Sequence, residues 1–303
     1  MKCAAITGAN GFVGRAVTRS LLDRGVFVYA IDLQQEAANP HENLAYICCD
    51  VANIGTAAES IQKAPDVFFA FAWAGSAGPY RADYALQLNN AKYNSDCIVF
   101  AKNIGCSRFV GAGSITETET FEAVRAQGNK PALPYIYGAG KAVAHEIGKC
   151  VAAGLGIDFL WAYITNAYGP GESSPRLLNT TIRKLLSGEA AEFTAATQLY
   201  DFVYINDVAE AFCRIAESGR PFHEYTIGSG GAKPLRVFLE GLRDAVSPGA
   251  ALHFGAVPFT GIDLAPEVFD IASLTRDTGF VPKVAFSEGV VRTAAWIAGD
   301  GQI

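Results

Sequence analysis

Charge is scarce in this sequence. Of its 303 residues only 18% are Asp, Glu, Lys or Arg, where a globular domain usually carries about a quarter. Lys and Arg together number 24 and Asp and Glu 30, a formal net charge of −6, and the basic residues form no run. Without a basic stripe the chain has nothing to neutralise a phosphate backbone or an anionic bilayer surface. Neither nucleic acid nor membrane is therefore expected as a partner. Long hydrophobic runs are missing as well. The longest, Val67–Ala74, falls far short of the roughly 20 residues that cross a bilayer. After Lys2 a short apolar segment, Cys3–Ile6, gives way to glycines. That is not a secretory-signal pattern, and a cytoplasmic protein is expected.

Metal and disulfide chemistry are poorly supplied too. The 7 cysteines include no Cys-x-x-Cys and are expected as free thiols of a reducing compartment. The 4 histidines, His41, His145, His223 and His253, lie far apart. His145-Glu146 lacks the second His that a zinc-protease helix carries four residues after the first, so no metal site is expected. Internal repeats and low-complexity tracts are absent. What is plentiful is apolar surface: 50% of the residues are hydrophobic, enough for a large buried core.

Short apolar runs alternate with helical patterns through the first half. Strands are expected over Lys2–Thr7, Val26–Ile31, Leu44–Cys49, Asp66–Trp73, Arg108–Ala112 and Asp158–Thr165. Helices are expected over Gly11–Arg24, Ile54–Lys63, Tyr84–Ile104 and Tyr135–Ala153. Such alternation predicts an α/β protein built on a Rossmann-type, doubly wound parallel sheet. After about Asn166 the pattern loosens into helices over Leu177–Leu186, Asp207–Ser218, Leu235–Val246 and Ser287–Ala298, with short strands near Asp201–Ile205 and Glu224–Ile227. The expected division is residues 1–166 as the dinucleotide-binding domain and 167–303 as a smaller C-terminal α/β substrate lobe. Segments near 201–216 and 271–280 are expected to return to the first domain.

The first strand-to-helix turn reads Thr7-Gly8-Ala9-Asn10-Gly11-Phe12-Val13-Gly14. Glycines there let the backbone approach a pyrophosphate whose charge the helix N-terminus stabilises. A plain tight turn would use the same residues, but a strand before it and a helix after it favour a dinucleotide. Asp32 closes the second strand, where a carboxylate can bind both ribose hydroxyls of adenosine and repel a 2′-phosphate. The cofactor expected is NAD rather than NADP. Asp50, past the third strand, either receives the adenine amino group or caps the next helix.

Tyr137 and Lys141 lie four residues apart on an expected helix, hence on one face. An ammonium there would lower the pKa of the phenol, which could then take a proton from a sugar hydroxyl. A surface pair would have the same spacing. Ser114, just past the strand Arg108–Ala112, lies at the carboxyl edge of the sheet where ligands bind, and its hydroxyl could hold the substrate oxygen. Tyr135 has Ala139, not Lys, four residues on.

With these motifs in order, the chain resembles the extended short-chain dehydrogenase/reductases, specifically the NAD-dependent epimerase/dehydratase family of nucleotide-sugar enzymes. The matching stretches are Thr7–Gly14, Asp50-Val51, Asp66–Ala74, Asn90, Arg108–Ser114, Tyr137–Lys141, Asn166–Gly171, Asp201–Val208 and Gly279–Lys283. The resemblance implies that Gly8, Gly11, Phe12, Val13 and Gly14 contact the pyrophosphate of NAD and that Asp32 holds the adenosine ribose. It places Asp50 and Val51 beside adenine and Phe71, Ala72 and Trp73 along the cofactor. Ser114, Tyr137 and Lys141 would be catalytic, the last also holding the nicotinamide ribose, and Asn166 would contact the sugar diphosphate.

Departures from the family pattern stand beside these matches. Tyr200 precedes Asp201-Phe202-Val203-Tyr204-Ile205 where an Arg is usual, and Thr260 takes a second Arg position. Arg176, Arg183 and Arg81 are the candidates to replace them, with Arg176 a candidate substrate ligand. Ser114-Ile115-Thr116-Glu117 lacks the Asp of the Thr-Asp-Glu of the 4,6-dehydratases and moves the Glu by one, which argues against dehydration. The segment Trp73–Arg81 either shapes the sugar pocket or merely connects. The function expected is NAD-dependent epimerisation at C4 of a nucleotide-activated hexose, in a homodimer paired through the helices Tyr84–Ile104 and Tyr135–Ala153. An NADH-dependent 4-keto-sugar reductase and a non-catalytic NAD-binding regulator are the alternatives.

Overall fold

The computed structural model describes residues 1–299; residues 300–303 of the expected second lobe lie outside it. Seven strands form the central sheet: β1 (Cys3–Thr7), β2 (Phe27–Asp32), β3 (Leu44–Cys48), β4 (Val67–Ala70), β5 (Arg108–Ser114), β6 (Asp158–Ile164) and β7 (Glu224–Ile227). Their spatial order is β7-β6-β5-β4-β1-β2-β3, and every pairing is parallel. The sheet is apolar on both faces because helices cover both. In β1 the side chains alternate: Ala4 and Ile6 belong to one core, Cys3 and Ala5 to the other.

The helices are α1 (Phe12–Leu22), α2 (Tyr84–Asn103), α3 (Thr116–Arg125), α4 (Tyr135–Leu155), α5 (Leu177–Ser187), α6 (Ile205–Ser218), α7 (Leu235–Val246), α8 (Ala272–Thr278) and α9 (Phe286–Ala298). Val17 and Leu21 of α1 and Val208, Phe212 and Ile215 of α6 fill the first core. Ile98 and Ala101 of α2 and Ala144 and Ala152 of α4 fill the second. Beyond β6 lie short two-stranded pairs, such as Asn166–Tyr168 with Phe202–Tyr204. These pack with α5, α7 and α9. Among the described residues no helix is long and apolar enough to cross a membrane.

Several elements differ from expectation. The helix expected over Ile54–Lys63 is a 3-10 helix over Val51–Ser60, kinked at Asn53. The strand expected over Asp66–Trp73 stops at Ala70, where its partners β1 and β5 cease to run beside it. β5 instead continues to Ser114, paired with Ile164. α3 was not expected at all: Thr116–Arg125 is rich in Thr and Glu and has little apolar periodicity. Glu224–Ile227 belongs to the main sheet, where it pairs with β6, so the chain after residue 166 re-enters the first core more extensively than the expected return at 201–216 and 271–280.

The second core centres on Trp161 of β6, which is fully buried and lies across Gly111 and Gly113 of β5. A Cβ on Gly111 would stand 2.3 Å from the indole. Trp161→Ala should destabilise the protein by about 3–5 kcal/mol through lost burial and an unfilled cavity, read from urea unfolding; a loss below about 1 kcal/mol would show that the cluster collapses to fill the space.

Candidate active site

The turn from β1 into α1 is held by its glycines. Gly8 has φ +69°, and a Cβ there would lie 2.6 Å from the backbone nitrogen of Ala72. That close approach leaves the loop as a bare cradle beside the end of β4. Gly11 caps α1 with no side-chain acceptor, so the first N–H groups of the helix remain available to an anion. Asn10 staples the rim: its amide donates to Gln34 Oε1, Glu36 O and Tyr46 Oη, and its Oδ1 accepts from Ala38 N–H. Asp32 Oδ2 accepts from the Asn10 N–H at 3.0 Å, which fixes the carboxylate at the lip of the cradle.

A cleft of about 410 Å³ begins at this loop. Of the residues expected at the site, Gly8, Gly11, Phe12, Val13, Gly14, Phe71, Trp73, Ser114, Tyr137, Lys141 and Arg176 line it. Asp32, Asp50, Val51, Ala72 and Asn166 do not. Asp50 caps the following 3-10 helix, its Oδ1 accepting from the Ala52 N–H at 2.9 Å.

The catalytic candidates meet at the other end. α4 carries Tyr137 and Lys141, and the glycines around them let it sit close to two neighbours. A Cβ on Gly138 would be 2.0 Å from Thr120 Oγ1 on α3, and one on Gly140 would be 2.9 Å from Gln87 Cβ on α2. Lys141 is buried; its ammonium donates to the Ala112 carbonyl at 2.7 Å and lies 3.7 Å from the Trp73 ring centroid. The edge of Trp73 meets the Tyr137 ring, centroids 6.2 Å apart. Burial lowers the pKa of Lys141, and the Glu117 carboxylate opposes that. Burial likewise raises the pKa of Tyr137; the opposing groups are Arg176, Arg81 and the Ser114 hydroxyl. Two arginines thus favour the phenolate from the cavity side. Arg81 lies 4.6 Å from the centroid of the Tyr137 ring.

A second cavity, about 270 Å³, adjoins the first and is lined by Asn166, Arg81, Arg176 and Tyr200 among others. Asn166 donates to the Asp201 carbonyl at 3.0 Å, and Arg176 pairs with Glu172 at 3.1 Å. Of the three candidate arginines, Arg81 and Arg176 reach this cavity; Arg183 borders a separate surface hollow. Thr260 is exposed and lines neither cavity. The segment Trp73–Arg81 is no loose connection. Buried Gln87 accepts from Trp73 Nε1 at 2.8 Å and donates to Gly75 O and Tyr80 O, and Asn90 brackets the backbone of Ala74. Ser76 borders both cavities.

A family model described as the NAD dependent epimerase/dehydratase family matches residues 4–228. The chain belongs to this family, whose members are NAD-dependent enzymes. It is 24% identical over 293 residues to CDP-abequose synthase of Salmonella typhimurium, covering 94% of this chain and 95% of that one. A probable dTDP-glucose 4,6-dehydratase of Sinorhizobium fredii is also 24% identical, with 98% and 93% covered. In fold it is similar to a UDP-glucose 4-epimerase of Thermotoga maritima, with a TM-score of 0.81 at 19% identity and 98% and 99% of the two chains covered.

For a member of the epimerase/dehydratase family, the bare Gly8 cradle, the open start of α1 and a carboxylate at the end of β2 are groups that fit a dinucleotide. Two contributors had no sequence signal. Asn10 orders the rim from within the glycine loop. Arg15 follows that loop and donates to Gly171 O at 3.2 Å, bridging the two halves of the cleft. Glu117 lines neither cavity.

Asp32→Ala should weaken NAD binding roughly ten- to a hundredfold, the worth of hydrogen bonds to a charged group, and narrow the preference over NADP. Calorimetric titration with both dinucleotides checks this; unchanged NAD affinity would remove Asp32 from the ribose site.

Proposed function

We propose that this protein oxidises or reduces a nucleotide-activated hexose at C4, with epimerisation at that carbon as the first reading. The observation that carries the proposal is the convergence of Ser114, Tyr137 and Lys141 at the end of a cleft that starts at the Gly8–Gly14 loop. NAD, when bound, supplies the hydride acceptor or donor. The protein's own work is to position the sugar and move its proton. The Ser114 hydroxyl holds the C4 oxygen while the Tyr137 phenolate removes its proton. Arg81 and Arg176 favour that phenolate, and burial makes their field stronger than it would be in water. In epimerisation Tyr137 returns the proton after the 4-keto sugar has turned. In reduction of a 4-keto sugar, the second reading, Tyr137 only donates. Asn166 and Arg176, which line the adjoining cavity, are the diphosphate ligands in this reading. Dehydration is disfavoured, because Ser114-Ile115-Thr116-Glu117 lacks the Asp of Thr-Asp-Glu and Glu117 lines neither cavity.

Tyr137→Phe should lower turnover about 10²- to 10⁴-fold, the usual worth of a general acid or base, while NAD still binds. Steady-state kinetics with UDP-, dTDP-, GDP- and CDP-hexoses, beside NAD titration, decide the matter. Turnover undiminished in the variant overturns the proposal, and so does a wild type that turns over none of these sugars or their 4-keto forms; the latter outcome favours the regulator. Co-purified, non-exchanging NAD would select epimerase, and NADH consumption with a 4-keto sugar reductase.

The assembly proposed is a homodimer through α2 and α4. These helices pack together, and their outer face leaves Leu88, Val99 and Ile147 exposed, an apolar surface suited to a partner. Sedimentation should show a dimer that Val99→Asp with Ile147→Asp converts to monomer; a wild-type monomer would remove this assembly.

A further inference from the structure

A buried column of ionisable groups stands behind the catalytic residues. α4 places Tyr137, Lys141 and His145 at four-residue steps along one face. His145 is 3% exposed and lies flat on Trp161, ring centroids 5.0 Å apart and planes 3° from parallel. Its Nδ1 is 3.1 Å from Tyr163 Oη and 3.8 Å from Glu117 Oε2, and its Nε2 is 3.4 Å from Glu224 Oε1. Glu224, on β7, is half-exposed and accepts from Lys149 Nζ at 2.8 Å.

Glu117 is 1% exposed. Its Oε1 accepts from the Ser114 backbone N–H at 2.8 Å and from Trp161 Nε1 at 3.3 Å. It therefore grips the very residue that ends β5 in the active site. Glu117 Oε2 and His145 Nε2 have no hydrogen-bond partner among the described residues. A buried polar atom left so costs about 1–3 kcal/mol, more if charged. The His145 ring stands between these groups, its Nδ1 edge toward Tyr163 and Glu117 and its Nε2 edge toward Glu224. Burial raises the pKa of Glu117; the Ser114 N–H, Lys141, His145 and Trp161 favour its anion.

We propose that Glu117 is a positioning residue that acts as an anion, holding Ser114 and balancing Lys141, and that His145, fixed by Tyr163 and Glu224, is the group that supports it from behind. This rests on the reading of Ser114, Tyr137 and Lys141 as the catalytic set. The charged and titratable groups facing the column are Tyr137, Lys141, Glu146 and Lys149 from α4, Tyr163 from β6 and Glu224 from β7. On the α2 side the neighbour is Asn94, whose amide donates to the Ala144 carbonyl. As pH falls Glu117 takes up a proton, its grip on Ser114 weakens, and kcat falls with it.

The test is the pH profile of kcat and KM in the holoenzyme, beside carboxyl NMR of the protein without substrate. Glu117→Gln keeps the shape and loses the charge. It should lower kcat about tenfold at neutral pH, leave KM within about twofold and flatten the acid limb. His145→Gln should move that limb to higher pH, and Glu224→Gln, at the surface, should do so more mildly. In the NMR spectra the Glu117 carboxyl resonance, assigned by its loss in Glu117→Gln, should titrate at higher pH in His145→Gln. Profiles that keep their limbs while only thermal stability drops would reduce the column to a structural one and overturn the proposal. So would a Glu117 titration indifferent to His145. If no nucleotide sugar turns over, the catalytic reading fails, while the NMR titration still decides whether His145 acts on Glu117.

Discussion

A lysine ammonium kept out of water at the carboxyl edge of a parallel sheet is the constraint around which this site is arranged. Lys141 is buried, and burial disfavours its charge. Three neighbours offset that. The Ala112 carbonyl accepts a hydrogen bond, the Trp73 ring offers its negative face, and Glu117 supplies the opposite charge. Each sits on a different element: β5, the segment after β4, and α3. The ammonium therefore ties together three connections that would otherwise be free to move independently. Ser114 is drawn into the same knot, because Glu117 holds its N–H. Tyr137 comes with Lys141 as its neighbour one helical turn back.

The same constraint explains polar residues buried in an otherwise apolar helix pair. α2 is long, yet its inner face carries Gln87, Asn90 and Asn94. The first two hold the segment that carries Trp73 over Lys141. Their burial costs little because each amide is matched to backbone groups that would themselves be left unpaired. An apolar residue at Gln87 would pack as well and would release the indole.

What could be read from the sequence follows from how local each signal is. The strands of the sheet were visible because both faces are covered, so each strand is a continuous apolar run. The cofactor loop was visible because glycine has no substitute at a turn such as Gly8. Tyr137 and Lys141 were visible because helical spacing alone places them together. α3 was not: its buried face is formed by Thr116, Glu117, Thr120 and Ala123, which hydropathy does not mark. β7 was not assigned to the sheet because a short strand carries no record of its partner. The direction of Glu117 depends on Trp161 and Ser114, both brought near it only by the fold, and the pairing of Arg15 with Gly171 spans the two halves of the cleft.

The two missing family arginines become intelligible in the same terms. Tyr200 and Thr260 leave the usual cation positions neutral, yet the cavity beside Asn166 still holds two guanidinium groups. One comes from the segment that Gln87 and Asn90 secure, the other from the loop that precedes α5. In the proposed reading, Arg81 and Arg176 bring positive charge close to the Tyr137 phenol as well as to a bound anion, so one pair of side chains serves recognition and proton transfer together. Lys141 stays beneath Trp73, held by Ala112 and balanced by Glu117, and the phenol is then approached by cations from both sides.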